Sequence, residues 1–458
     1  MVAAAHDHDV LIVGGGPGGL ATAHALSKVL PSGSSIGVLE RNPNIHRPQG
    51  AGISLDANGL KALRAIDAAL YESVAASELS TSIKASEMRT KAGEVTRTIP
   101  GEVMEAQDTM MLARYGVKSV QLPWHDLVMV LFHALPKSVE FMQGVKMQRY
   151  EQLADGSVAV FVEGKEQPVT ARLLVASDGY FSPVRRQLLD DGPPDFKDVV
   201  IFRTTISEEQ AVAAGFKAGY NVLYFDEEAC GLLFRTNSST YSLVVSLQTW
   251  HLEKCGVDPS TLLRTGDAVP GLSGSWELSR KLDLEHAKVS LQTALNGWDP
   301  ALMKAIASLP ADRWVVHGVY CRSSAKMDPS HFGAGNVAIV GDAAHPIRPT
   351  GQGANMALED AYFLAQAVGR DPIGLSALGE FRAARAERMR PVMRQSEVGA
   401  ARAYKRGAAA EVDDPGAPVE PSDPEAENKQ REDEQRSFRD FLYGVVMEPL
   451  RAAEVAKA

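Results

Sequence analysis

The sequence predicts an α/β protein: a discontinuous sheet of buried strands, a second, mostly antiparallel sheet, and a helical C-terminus. Three observations carry that prediction. The N-terminal residues read strand, glycine turn, helix and strand in "HDVLIVGG", "GGLATAHALSKVL" and "SIGVLER". A β-rich block over 199–248, with "VVIFRTTI", "NVLYF", "CGLLFRT" and "TYSLVVSLQ", then interrupts the α/β pattern. That pattern returns with "GNVAIVGDAAH" and a long helical stretch near 354–368, so the first domain is assembled from distant segments.

Taken in order, Leu11, Ile12 and Val13 form a short apolar run, as expected for a strand covered on both faces. Gly14, Gly16 and Gly19 follow in G-x-G-x-x-G spacing, the mark of a Rossmann-like turn. The first allows a tight turn, the second a close approach to a pyrophosphate, and the third close packing of helix on strand. Glu40 ends the second strand about 20 residues past the last glycine, where a carboxylate accepts a bond from a ribose hydroxyl. Together they read as an ADP site, which by itself does not separate NAD from FAD.

Residues 56–76 and 124–135 are expected to be helical, and short β runs fill 139–176. "VASDGYFSPVRRQLL" places Asp178 and Gly179 at a strand end, with Ser182 and Pro183 as cap and first turn of a helix. Its residues alone read equally well as a plain strand–turn–helix junction with Arg185 and Arg186 in solvent. In "VAIVGDAAHPIRPTGQGANMALEDAYFLAQAV", Asp342 ends a buried strand, where an acceptor meets a sugar or ribityl hydroxyl. Gly351 and Gly353 lead into a helix whose free N–H groups suit negative charge developing on a ring. His345 reads as a structural histidine beside a Pro-rich turn, with a catalytic base as the alternative.

The domain boundaries follow. Residues 8–198 and 310–375 form the dinucleotide-binding domain, with 77–123 a candidate insertion in the second domain, which spans 199–309. A C-terminal helix is expected at 376–410, a flexible acidic, Pro-rich linker at 411–434, and a terminal helix at 435–452.

Composition narrows the function. A net charge of −10, with cations scattered singly, argues against nucleic acid or an anionic membrane as main partner. The three cysteines, Cys230, Cys255 and Cys321, lie far apart without a CxxC pair, so neither a disulfide framework, a dithiol centre nor a metal site is expected. No apolar run has the length of a membrane span. The first strand begins near Val10 and leaves no room for a signal peptide, which suggests the cytoplasm, or an organelle lumen if a targeting segment has been removed.

The three motifs, in this order, resemble the single-component FAD-dependent monooxygenases of the aromatic hydroxylase type, with the p-hydroxybenzoate hydroxylase fold. The similarity spans roughly residues 8–400, and "GAGISLDANGLKAL" (50–63) is similar to the salicylate hydroxylase and zeaxanthin epoxidase branch. The resemblance implies non-covalent FAD held by Gly14, Gly16, Gly18, Gly19, Glu40, Arg41 and Arg47, by Asp178, Gly179 and Arg185, and by Gly341, Asp342, Pro349, Gly351, Gly353, Ala354 and Asn355. It also implies NADH or NADPH as a transient reductant, serving a monomer or homodimer. Oxygen would add at the flavin C4a and pass from the hydroperoxide to an aromatic or alkene substrate. Two departures stand out. Only Thr350 separates Pro349 from Gly351 where many members have two residues, and Trp124 occupies a position where many carry an FAD-touching Arg.

On the reacting side the candidates are Pro349, in the flavin-facing loop, and Arg235. Leu233 and Arg235 share one face of their strand, so Arg235 points either to solvent at a strand end or inward to a substrate carboxylate or phenolate. The rival functions are an oxidase, reductase, cyclase or halogenase on the same fold, or a catalytically silent flavin-binding protein. The W-x-W-x-I-P stretch of the halogenases is missing.

Overall fold

In the computed structural model, which describes residues 6–46, 52–75, 83–263, 282–372, 375–403 and 424–451, the chain builds two large sheets. The first has eight strands. Its centre is parallel, in the order Val337–Ile339, Val169–Ala176, His8–Val13, Ile36–Glu40, Val139–Gln143. Leu11 and Ile12 are fully buried, as both faces of a parallel strand require. The helices Pro17–Val29, Ala57–Ile66 and Gly353–Arg370 pack together over this sheet, their Ala- and Leu-rich sides joining one hydrophobic core.

The second sheet has seven strands, ordered Val315–Cys321, Asp195–Ser207, Thr240–Gln248, Ala229–Arg235, Tyr220–Phe225, Ala85–Arg89, Val95–Pro100. Every pair is antiparallel except Tyr220–Phe225 with Ala85–Arg89. Alternation splits it cleanly. Val200, Phe202, Leu233, Leu243 and Val245 face a second core under the helices Glu208–Ala214, Leu284–Ala294 and Pro300–Ser308. Val199, Ile201, Cys230, Val319 and Cys321 form a smaller apolar patch on the opposite, inner face.

Strand pairing refines the expected segments. Ala85–Arg89 and Val95–Pro100 do hydrogen-bond into the second sheet, and Arg89 is tied there by Glu87 at 2.6 Å and Asp299 at 2.9 Å. Within 310–375, however, Val315–Cys321 is the edge strand of the second sheet and not part of the first. Its apolar alternation suited either sheet; pairing with Asp195–Ser207 decided. The C-terminus also differs. The terminal helix runs Pro424–Tyr443, starting inside the stretch read as a linker, and 444–451 has no helical structure. Glu, Gln, Lys and Arg are good helix formers even without an apolar stripe, and Gly444 receives the end of the helix by donating to the Asp440 carbonyl. Residues 411–423 of the expected linker lie outside the described residues.

Candidate active site

The glycine turn joins His8–Val13 to Pro17–Val29. Gly14 has φ +108°, and a Cβ there would lie 2.2 Å from the Ser177 carbonyl oxygen. A Cβ at Gly19 would lie 1.9 Å from the Gly14 oxygen. These two glycines serve the protein's own packing. Gly16 does not: nothing stands within 4 Å of its Cβ position, so its backbone faces open space at an uncapped helix N-terminus. Gly18 sits close to Ser177 and Ala357. Glu40 accepts the Gly15 N–H at 2.7 Å and the Asn42 N–H at 2.6 Å, which fixes its carboxylate at the rim of the turn. Arg41 is exposed and acts on Asp178 through its charge. Arg47 lies outside the described residues.

Asp178 follows Val169–Ala176 beside this turn. Its Oδ1 is buried with no hydrogen-bond partner, and burial pushes the carboxyl up to about 6. Gly179 takes the left-handed conformation with φ +85°, and Ser182 caps the helix Pro183–Leu189 by accepting from the Arg185 N–H. Arg185 itself corrects the expectation. It is fully buried, donates to the carbonyls of Ala343 and Ala344 at 3.1 and 2.6 Å, and pairs with Asp191 at 2.6 Å. Its guanidinium is engaged inside the protein, where it positions the Gly341–Ala344 turn; it is neither solvated nor turned to a ligand.

That turn is held from behind. Gly341 N–H and His345 Nε2 both meet Asp360 Oδ2, at 2.7 and 2.6 Å, and Arg385 Nε meets Oδ1 at 2.7 Å. Burial works against ionisation of Asp360, yet His345 and Arg385 hold its carboxyl below the usual range. His345 is wholly buried in this network, as a structural histidine should be. Asp342 alone escapes it. Solvent reaches Asp342 while Gly341, Ala343 and Ala344 are buried, so its carboxylate lines the floor of an internal cleft. The surrounding protein still pushes the carboxyl above its ordinary value, against His345 and Arg203.

The helix Gly353–Arg370 begins 3.8 Å from that carboxylate, measured from Asp342 Oδ1 to the Cβ position of Gly353. Pro349 and Gly351 are exposed, and Ala354 is half-buried in the first turn. Asn355 offers less than expected. Its amide donates to the carbonyls of Ser54 and Gly351 and accepts from the Asp56 N–H, so it clamps the turn and leaves no side-chain group for a ligand. Trp124 starts the helix Trp124–His133 and packs, half-buried, against the first core.

Across the cleft lies the inner face of the second sheet, and Arg235, left open between solvent and an inward position, takes neither. Arg235 is on the helix-covered face. It donates to the carbonyls of Asn237 and Ser238, pairs with Glu208 at 3.4 Å and covers the Tyr241 ring, so it closes its own hairpin. Arg203 faces inward from Asp195–Ser207, in step with Val199 and Ile201. Desolvation lowers its basicity while Tyr180 and Asp342 attract its charge, and its Nε is buried without a hydrogen-bond partner. A lone Arg in the apolar strand "VVIFRTTI" was the available signal; alternation alone leaves open which face is inward. Tyr180 completes this wall by stacking on Tyr320, ring centroids 5.8 Å apart.

The orphaned Asp178 oxygen, the open space over Gly16 and the cleft-lining Asp342 fit an extended dinucleotide running from the glycine turn to the start of Gly353–Arg370. The glycine turn, the two acidic strand ends and the second sheet define a dinucleotide-binding protein built on two sheets. The sequence profile described as "FAD binding domain" matches residues 7–249 and 316–389, and the chain belongs to that family. It is 25% identical to the aurachin C monooxygenase/isomerase of Stigmatella aurantiaca over 83% of this chain and 85% of that protein. It is 28% identical to the 3-amino-4-hydroxybenzoate 2-monooxygenase of Streptomyces cremeus, over 77% of each. Against Klebsiella pneumoniae HpxO complexed with FAD and uric acid, the fold matches with a TM-score of 0.68 at 20% identity, covering 96% of this chain and 97% of that one. The protein is an FAD-dependent monooxygenase. Among the described residues no helix is long and apolar enough to cross a membrane.

Proposed function

We propose that the enzyme uses NADH or NADPH and O2 to hydroxylate a small aromatic substrate that carries an anionic or carbonyl oxygen. The observation that carries this reading is Arg203, a cleft-facing guanidinium with an unpartnered buried Nε. A buried guanidinium N–H without a hydrogen-bond acceptor is costly unless a ligand supplies one. Its planar fork suits a carboxylate, a phenolate or a ring carbonyl. The names of similar proteins support the choice, since hydroxybenzoates and uric acid bear such oxygens.

Bound FAD supplies electron transfer and oxygen activation; the chain supplies placement and a dry site. Gly16 and the N-terminus of Pro17–Val29 would hold the pyrophosphate, Glu40 a ribose, and Asp178 and Asp342 would accept from hydroxyls. The start of Gly353–Arg370 would offer its N–H groups to an electron-rich ring edge. Val199, Ile201, Cys230 and Val319 keep water from the reacting face. The balance is ArH + NAD(P)H + H⁺ + O2 → ArOH + NAD(P)⁺ + H2O.

The test is aerobic NAD(P)H oxidation by the yellow holoenzyme on a panel of hydroxybenzoates and oxo-heterocycles, with labelled O2. The expected result is one labelled oxygen in the product, and at least a tenfold rise in KM in Arg203→Gln with FAD content unchanged. Peroxide without labelled product, or full turnover in Arg203→Gln, overturns the proposal.

A further inference from the structure

Asp56 stands at the N-cap of Ala57–Ile66, yet its side chain caps nothing in that helix. The carboxylate turns to the start of Gly353–Arg370. Oδ2 accepts from Gln352 Nε2 at 2.7 Å, and Oδ1 from the hydroxyls of Ser119 at 2.8 Å and Ser54 at 3.3 Å. The backbone N–H of Asp56 donates to Asn355 Oδ1 at 2.8 Å, so backbone and side chain grip the same turn. From the C-terminal segment the Tyr443 phenol lies beside the carboxylate, which together with burial pushes that phenol up. Lys61, one turn along the helix, spends its ammonium on the carbonyls of Tyr443 and Val445. Among the described residues no cation pairs with Asp56.

Gln352 and the two serines present N–H or O–H groups to the carboxylate, an arrangement made for an acceptor-only ion. Burial raises the Asp56 carboxyl above its ordinary value, and hydrogen bonds from Ser119, Tyr443, Ser54 and Gln352 oppose that rise only in part. The Gln352 amide cannot simply turn round, because its oxygen already accepts from Asn58 Nδ2 at 3.2 Å. These donors set the Asp56 carboxylate against the N-terminus of an 18-residue helix, where the partial positive charge of aligned peptides is greatest and favours its charged form.

On the reading that this helix start faces the electron-rich edge of bound FAD, we propose that Asp56 is a positioning residue that lowers the flavin's reduction potential by setting a carboxylate behind Gln352. Reduced flavin carries negative charge at that edge, and a second negative charge nearby opposes it. The helix terminus stabilises the reduced ring; Asp56 moderates the effect. A flavin held at lower potential gives up electrons to oxygen more readily and takes them from a nicotinamide less readily.

The experiment is the midpoint potential of bound FAD, by dye equilibration, in wild type, Asp56→Asn and Ser119→Ala holoenzymes. Removing the charge is expected to raise the affinity ratio of reduced to oxidised FAD about tenfold, a midpoint about 30 mV higher. Ser119→Ala, which removes a donor but no charge, is expected to move the midpoint far less. Should Asp56→Asn not fold, Asp56→Ser, which keeps an acceptor for Gln352, carries the same expectation. An unmoved midpoint in a neutral Asp56 variant that binds FAD overturns the inference, as does an equal shift in Ser119→Ala. A wild type that takes up no FAD would instead remove the reading on which it rests.

Discussion

The nucleotide-facing half and the substrate-facing half of this molecule are built by different means. The first uses residues with no substitute. Gly14 and Gly19 sit where any Cβ would enter backbone, and Asp360 joins Gly341, His345 and Arg385 in one buried network. The second uses ordinary strand residues, and its chemistry depends on which alternate positions face the cleft. Arg203 and Arg235 are both arginines in strands of one sheet; one looks into the cleft and the other closes a hairpin. A cofactor shared across a family calls for a rigid, repeated cradle, whereas a substrate pocket can vary by exchanging side chains on a fixed sheet.

The largest effect should come from breaking the buried network of the first half. Arg385→Met takes the guanidinium from Asp360, which is fully buried and keeps only His345 and the Gly341 N–H, while Glu359 retains Arg388. Loss of one partner of a buried pair costs about 3–5 kcal/mol, so the variant should unfold at clearly lower urea and purify with little flavin. Wild-type stability in Arg385→Met would show that this half is less rigid than the comparison holds.

Gly19→Ala comes next. Its Cβ would stand 1.9 Å from the Gly14 oxygen, and overpacking of this kind costs about 1–3 kcal/mol. Loss of FAD affinity should exceed the loss of stability, because the strained atom belongs to the phosphate turn. Gly16→Ala is its companion: the Cβ enters open space, so the apoprotein should keep its Tm while FAD binding falls. Equal behaviour of the two variants would erase the distinction between packing and ligand-facing glycines.

A pH series sharpens the same half. The folded Asp178 carboxyl stands at about 6 against an ordinary 3.8, so folding favours its protonated form. Its contribution to apoprotein stability is therefore complete below 3.8 and is lost as pH rises through 6. Asp178→Asn should match wild type near the acid end and exceed it by a few degrees in Tm at pH 7. A Tm difference that stays flat across the range would place the carboxyl in an ordinary environment.

The smallest effect tests the second half. Arg235→Lys gives up hydrogen bonds to the Asn237 and Ser238 carbonyls and should cost about 1 kcal/mol, with KM and FAD content unchanged. A raised KM in Arg235→Lys beside a normal Arg203→Gln would invert the assignment of the two arginines.

The cofactor half was largely legible from the chain alone, since its glycines, strand-end acids and cap residues are tied to local backbone geometry that spacing encodes. Its inner partners were not. Arg185 read as a cofactor contact or a solvated charge, because the Ala343 and Ala344 carbonyls it holds are about 160 residues away and only folding brings them near. Asn355 read as a ligand for the same reason, since Ser54 and Asp56 reach it from the far end of the domain. By itself, then, the sequence determined an α/β flavoprotein, its order of strands and turns, and the carboxylates at the strand ends beside the glycine turn. Only the tertiary structure decided that Val315–Cys321 joins the second sheet, that Arg203 faces the cleft while Arg235 does not, and that Asp56 turns its carboxylate to the start of Gly353–Arg370. Local spacing specifies a turn or a strand, but which face is inward, and which distant charge stands behind it, follow from register and packing between segments the chain does not keep adjacent.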